Sequence, residues 1–136
     1  MAPVSPCHAA DFAGHWHITR RIMPRHGLEV RFEGQAVWTP VAGGMDYHET
    51  GQMMMAEQPP MQAERRYFWS DDLSVYFDDG RFFHKVPPSG GAAVHWCDPD
   101  QYEGLYDFSD WPAFRVVWQV RGPIKDYRSE TDYTRL

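Results

Sequence analysis

The stretch FRVVWQVRGPIKDYRSETDY, Phe114 to Tyr133, decides the fold. In its second half Tyr127, Ser129, Thr131 and Tyr133 carry hydroxyls, while Arg128, Glu130, Asp132 and Thr134 between and after them are charged or polar. A strand sends alternate side chains to opposite faces, so this one shows charge to water and a row of hydroxyls to the inside. In the first half Phe114, Val116, Trp118 and Val120 alternate with Arg115, Val117, Gln119 and Arg121, and Gly122-Pro123 supplies a turn between the two runs. A two-residue loop there sets Trp118 opposite Tyr127 and Val120 opposite Lys125. The pair predicts an antiparallel sheet with a partly polar interior.

A chain of 136 residues is one domain by size, taken here as 1–136, and buries a core without metals or disulfides. Aromatic residues make up 15% of it, which suits strands. The net charge is −6 and the 13 basic residues are dispersed, which argues against a nucleic-acid binder. No apolar run approaches the ~20 residues that span a bilayer, and no signal-peptide pattern opens the chain, so the expected setting is the cytoplasm, with no membrane partner. Cys7 and Cys97 are expected as free thiols. No cofactor is expected; a homodimer is left open.

Outward from the deciding stretch, residues 1–11 read as a short helical lid or plug capped by Ser5-Pro6. Phe12 to Ile22 reads as the first strand, anchored by Trp16. Val30 to Trp38 and Met45 to Met53 follow, and matching Trp38 to Met45 sets Gly34 opposite Glu49 and Phe32 opposite Gly51. The inward glycines Gly34 and Gly51 point to a bulge ahead of a cleared interior. Matching Met53 to Ala63 and Trp69 to Leu73 keeps Arg65 inward and diagonal to Glu49. Asp79-Gly80 is the strongest hairpin signal and pairs Phe77 with Phe82 and Val75 with His84. Turn chemistry every 8 to 12 residues gives an all-β chain, a closed or nearly closed up-and-down antiparallel barrel of about eight to ten strands. The first and last strands, around Trp16 and Thr131, are expected to pair and close the sheet.

Asp11-Phe12 with Gly14-x-Trp16 and Arg20 begin a pattern that continues through Phe32-x-Gly34, Glu49, Ala63-Glu64-Arg65-Arg66-Tyr67-x-Trp69 and Asp79-Gly80-Arg81-x-Phe83-His84. His95-x-Cys97, Asp100-x-Tyr102, Tyr106-x-Phe108, Trp111-Pro112, Trp118 and Gly122-Pro123-x-Lys125-Asp126-Tyr127 complete it. On these residues the chain resembles a family of bacterial proteins of unknown function whose domain is lipocalin-like, or calycin-like. The chain departs from that pattern after Cys97, where Asp98 stands in place of the family's glycine. The resemblance implies a barrel with a Gly-x-Trp first strand and carries no activity.

The expected function is binding of a small, partly polar or anionic ligand in a pocket of ~300 Å³ or more, without catalysis. Glu49, Arg65 and Tyr67 would form its charged side, since Arg presents a planar fork to carboxylate or phosphate; Arg20 and Lys125 could join them. The alternative is that Glu49 and Arg65 only neutralise each other as a buried pair. Tyr102, Tyr106, Trp118 and Tyr127 would line the remainder, or the hydroxyls would form a network inside a filled barrel. His84 and His95 are expected inward, opposite each other and metal-free, with Phe82 facing Cys97. A second function class is an enzyme, metal or haem site built on His84, His95 and Cys97, the softest ligand set available. A third is an interaction module with a solid interior. Trp16 reads as a structural plug under Arg128 or Arg135, His15 and His17 as solvated, and Met53 to Met55 as packing.

Overall fold

The computed structural model describes residues 5–136. A 3-10 turn, Ala9–Phe12, precedes ten strands: β1 Gly14–Pro24, β2 Val30–Val41, β3 Gly44–Met55, β4 Met61–Ser70 and β5 Ser74–Phe77, then β6 Phe82–Lys85, β7 Gly91–Cys97, β8 Asp100–Asp107, β9 Phe114–Arg121 and β10 Asp126–Arg135. They form one antiparallel sheet in the order β6-β5-β4-β3-β2-β1-β10-β9-β8-β7. Neighbours in sequence are neighbours in space, and the two chain ends join through β1 and β10, with Arg20 opposite Thr131. The expected nearly closed up-and-down barrel is therefore present. The break falls between β6 and β7, and β6, one of its two edges, is only four residues long, which limits edge-to-edge pairing with other chains.

The hydroxyl row of β10 faces inward, with Ser129, Thr131 and Tyr133 buried and Tyr127 half-buried. Its registers differ from the sequence expectation. Trp118 lies opposite Ser129 and Val120 opposite Tyr127, because the turn spans Gly122 to Lys125 rather than two residues. Trp38 lies opposite Tyr47, Gly34 opposite Gly51 and Phe32 opposite Met53, because β2 and β3 run on to a tight turn at Ala42-Gly43. Met53 pairs with Met61, and Glu49 lies directly opposite Arg65. Trp69 faces Val75, not Leu73. The glycines mark no bulge, since the β2–β3 ladder is continuous. They mark a close approach of backbones: a Cβ on Gly34 would lie 2.1 Å from the carbonyl oxygen of Thr50.

A bulge does occur in the Asp79-Gly80 hairpin. Val75 pairs with His84 as expected, but Tyr76 pairs with Phe82, so Phe83 is the extra residue. Phe83 turns into the barrel and Phe82 turns out to solvent. At the chain's start the helix is also shorter than expected: it is capped by His8 rather than Ser5 and takes in Phe12, while residues 1–4 of the expected lid lie outside the described residues.

That turn plugs the base. Phe12 is fully buried with six aromatic rings within 6.5 Å, those of Trp16, Trp38, Trp69, Phe108, Trp111 and Phe114. The Trp16 indole N–H donates to the Phe12 carbonyl at 2.8 Å. Arg135 lies 4.2 Å over the Trp16 ring and donates to the carbonyls of Ala13 and Asp11 at 2.8 and 2.7 Å, so of the two arginines considered it is Arg135 that covers the plug. This dry aromatic layer closes one end of the barrel. Inward residues farther along β1, β3, β4 and β10 surround open space.

Candidate functional site

A cavity of about 250 Å³ lies inside the barrel above the plug. Eight of the ten expected pocket residues line it: Glu49, Arg65, Tyr67, His84, Tyr102, Tyr106, Trp118 and Tyr127. It is slightly smaller than the ~300 Å³ anticipated.

The floor is a polar layer. Arg20 on β1 reaches Glu49 on β3 with both terminal nitrogens, Nη1 to Oε2 at 2.8 Å and Nη2 to Oε1 at 2.7 Å, and its Nε donates to the Thr131 hydroxyl at 2.7 Å. Tyr47 donates to Glu49 Oε1 at 2.5 Å and shares a hydrogen bond of 2.9 Å with Tyr133. Both ions are under one-tenth exposed. Burial opposes ionisation of Glu49, but the hydrogen bonds and charge of Arg20 outweigh it and hold the carboxyl below its ordinary range. Burial likewise works against the Arg20 cation, and the bond to Glu49 outweighs it, raising its pKa. Burial, then the neighbouring Glu49 charge, pushes the Tyr133 phenol up to about 12. The floor is thus one ion pair wrapped in neutral phenols.

The expected Glu49–Arg65 pair forms only as a long contact, because Arg20 makes the short bonds to Glu49. Arg65 Nε lies 3.9 Å from Glu49 Oε2, and its Nη1 makes a long 3.5 Å bond to the Tyr67 hydroxyl. Arg20 has already taken both carboxylate oxygens. Arg65 is half-exposed, one inward position nearer the mouth than Tyr67 on β4.

Next to Tyr67 the lining is aromatic. Phe77 stacks on Phe83 at 4.6 Å and 14°, and Phe83 on Trp118 at 5.1 Å and 24°. The Trp118 indole lies across Gly104, whose added Cβ would meet it at 2.6 Å, so the glycine sets how far this ring stands from the strand. His84, buried at 3% exposure, bonds through Nε2 to the Tyr106 hydroxyl at 2.8 Å, and its Nδ1 has no hydrogen-bond partner among the described residues. Burial, then the charge on His95, lowers its pKa to about 3, so the imidazole is neutral at pH 7.

His84 and His95 do not face each other, since β6 and β7 form no ladder; His95 pairs with Tyr102 and packs against Phe83 at 5.3 Å, outside the cavity lining. Phe82 cannot face Cys97, because it points outward. Tyr106 holds His84. Lys125 sits at the rim, donating to the Tyr102 hydroxyl at 3.2 Å and 3.5 Å from Asp100. Among the described residues no three His, Cys, Asp or Glu side chains gather as a metal site, so the His84, His95 and Cys97 set is not assembled. Cys7 and Cys97 are free thiols. Sequence reasoning missed Tyr47 and Phe83 as lining residues. The alternation of β3 already held Tyr47, two residues from Glu49; nothing in the sequence distinguished Phe83 from Phe82.

Residues 12–135 match the family of unknown function DUF6314. The chain belongs to this family. No protein of curated function matches the sequence. Among solved structures, the fold is similar to that of an S-type phycobiliprotein lyase from Guillardia theta, with a TM-score of 0.65 and 9% identity over 94% of this chain and 90% of that one. At that identity the likeness concerns the barrel alone. No helix of the described residues is long and apolar enough to cross a membrane.

Proposed function

We propose that this DUF6314 protein is a small-ligand-binding barrel whose ligand is amphipathic, with an anionic or polar head and an apolar body, and that it binds without catalysing a reaction. One observation carries the reading: a cavity of about 250 Å³ holds an arginine, Arg65, whose carboxylate neighbour is already neutralised by Arg20. Arg20 alone balances the Glu49 charge, so Arg65 brings a net positive charge to the cavity. Ligand pockets typically combine apolar walls with a few placed polar groups. Phe77, Phe83 and Trp118 supply the apolar part of the lining, and Arg65, Tyr67 and Tyr127 the polar part. The fold neighbour is a lyase for phycobiliproteins, so a barrel of this shape serves small-molecule or protein chemistry in at least one other setting.

Native mass spectrometry of mildly purified protein, compared with the denatured mass, tests the proposal. The expected result is a small-molecule increment on the wild-type protein that Ser129→Trp, which fills the cavity, removes. A protein that carries no small molecule, and whose melting temperature no carboxylate, alcohol or amine in a fragment library raises, contradicts it.

A further inference from the structure

We infer that the ligand is a small aromatic monocarboxylate, its carboxylate on the Arg65 guanidinium and its ring against Phe83 and Trp118. The inference rests on the ligand-binding reading above and names the chemical class that the same cavity takes.

Charge selects the head group. Three ionised side chains line the cavity: the cations Arg20 and Arg65 and the anion Glu49, a surplus of one positive charge, while His84 is neutral at pH 7. Arg20 is spent, with Nη1 and Nη2 on Glu49 and Nε on Thr131. Lys125, whose ammonium donates to Tyr102 of the lining, is engaged as well, with Asp100 at 3.5 Å. Arg65 has only the 3.9 Å approach to Glu49 and the long bond to Tyr67, so its fork is open. A carboxylate matches that fork with two parallel hydrogen bonds and brings the site to neutrality. A dianion would leave one negative charge without a cation in the cavity to balance it.

Shape selects the body. A cavity of about 250 Å³ has the room of roughly eight waters, so the ligand has on the order of ten non-hydrogen atoms. Its wall is ring upon ring: Phe83 stacks on Trp118 at 5.1 Å, and Tyr102 meets Phe83 edge-on at 5.8 Å and 80°. Aromatic pairs gain from offset and edge-to-face contact beyond the area they bury, which an alkyl chain does not.

Isothermal titration at pH 7.5 with four probes, supported by tryptophan fluorescence, tests the assignment: cinnamate, cinnamyl alcohol, phenyl phosphate and hexanoate. Cinnamate is expected to bind about ten- to a hundredfold more tightly than the alcohol, the value of a charge-assisted hydrogen-bond pair, and more tightly than the other two. Arg65→Met should bring cinnamate down to the level of the alcohol, and Arg65→Lys, a point charge without the fork, should fall between. Because Arg65 is half-exposed and outside the floor network, both variants should fold; if Arg65→Met does not, Arg65→Lys and the wild-type series still decide. Equal binding of cinnamyl alcohol or phenyl phosphate overturns the monocarboxylate, and equal binding of hexanoate overturns the aromatic body. Undiminished cinnamate binding by Arg65→Met overturns the role of Arg65. Failure of all four probes overturns this inference alone, since the mass measurement on the purified protein decides the broader reading.

Discussion

Arg20 and Glu49 meet inside the barrel as a two-pronged ion pair of 2.7 and 2.8 Å although they stand on β1 and β3, with β2 between them. Arg20 lies opposite Phe32 and Glu49 opposite Ala36, so the line joining them passes the inward position of Gly34. The guanidinium lies 5.4 Å over the Phe32 ring on the way. A pair this buried is poor evidence of net stability, but removing one partner strands the other. Arg20→Met and Glu49→Gln should therefore each cost about 3 to 5 kcal/mol in urea unfolding. The double variant should cost clearly less than the sum. Additive losses would mean that the two ions act independently.

His84 sets the acid limb of stability. Its folded pKa of about 3 lies below the ordinary 6.5, so the unfolded chain binds the proton first and stability falls as pH drops below 6.5. His95, half-buried against Phe83, shifts the same way through burial and then the charge of Arg81. Glu49 is lowered too, but from an ordinary value of 4.5, so its contribution is lost only below that pH. Between pH 6.5 and 4.5 the loss thus belongs chiefly to His84 and should reach about 2 to 3 kcal/mol. His84→Gln should flatten that limb in denaturant melts across the window. An unchanged slope would show that His84 does not carry it.

Gly104 positions one wall of the cavity. A methyl group there would meet the Trp118 indole at 2.6 Å, with the ring rather than backbone as the obstacle. Gly104→Ala should push the indole toward the cavity, shift its fluorescence and cost about 1 to 3 kcal/mol as overpacking. Wild-type emission and stability would mean that the ring has free space behind it.

How much of this was legible in the sequence depended on the parity of the errors. The registers Trp38–Met45, Met53–Ala63, Trp69–Leu73 and Trp118–Tyr127 were each displaced by two residues. A slip of two leaves every side chain on its own face, so Glu49, Arg65, Tyr67, Trp118 and Tyr127 were still found inside. The bulge at Phe83 is a slip of one, which exchanged Phe82 for Phe83 and undid the expected facing of Phe82 and Cys97. The partner of Glu49 was not legible for another reason: Arg20 and Glu49 meet across an intervening strand, and the period of a strand gives its faces but not the reach of a long side chain over a glycine. Likewise His84 and His95 fall at the break of the barrel, where no ladder fixes a register.

The most direct test of the account is a crystal structure of the protein with 4-bromocinnamate, located by the anomalous signal of bromine. The expected result is a single peak inside the barrel beside Phe83 and Trp118, with the carboxylate on Arg65 and the Arg20–Glu49 pair unmoved. A bromine found only on the outer surface, above a cavity that holds water alone, would contradict it.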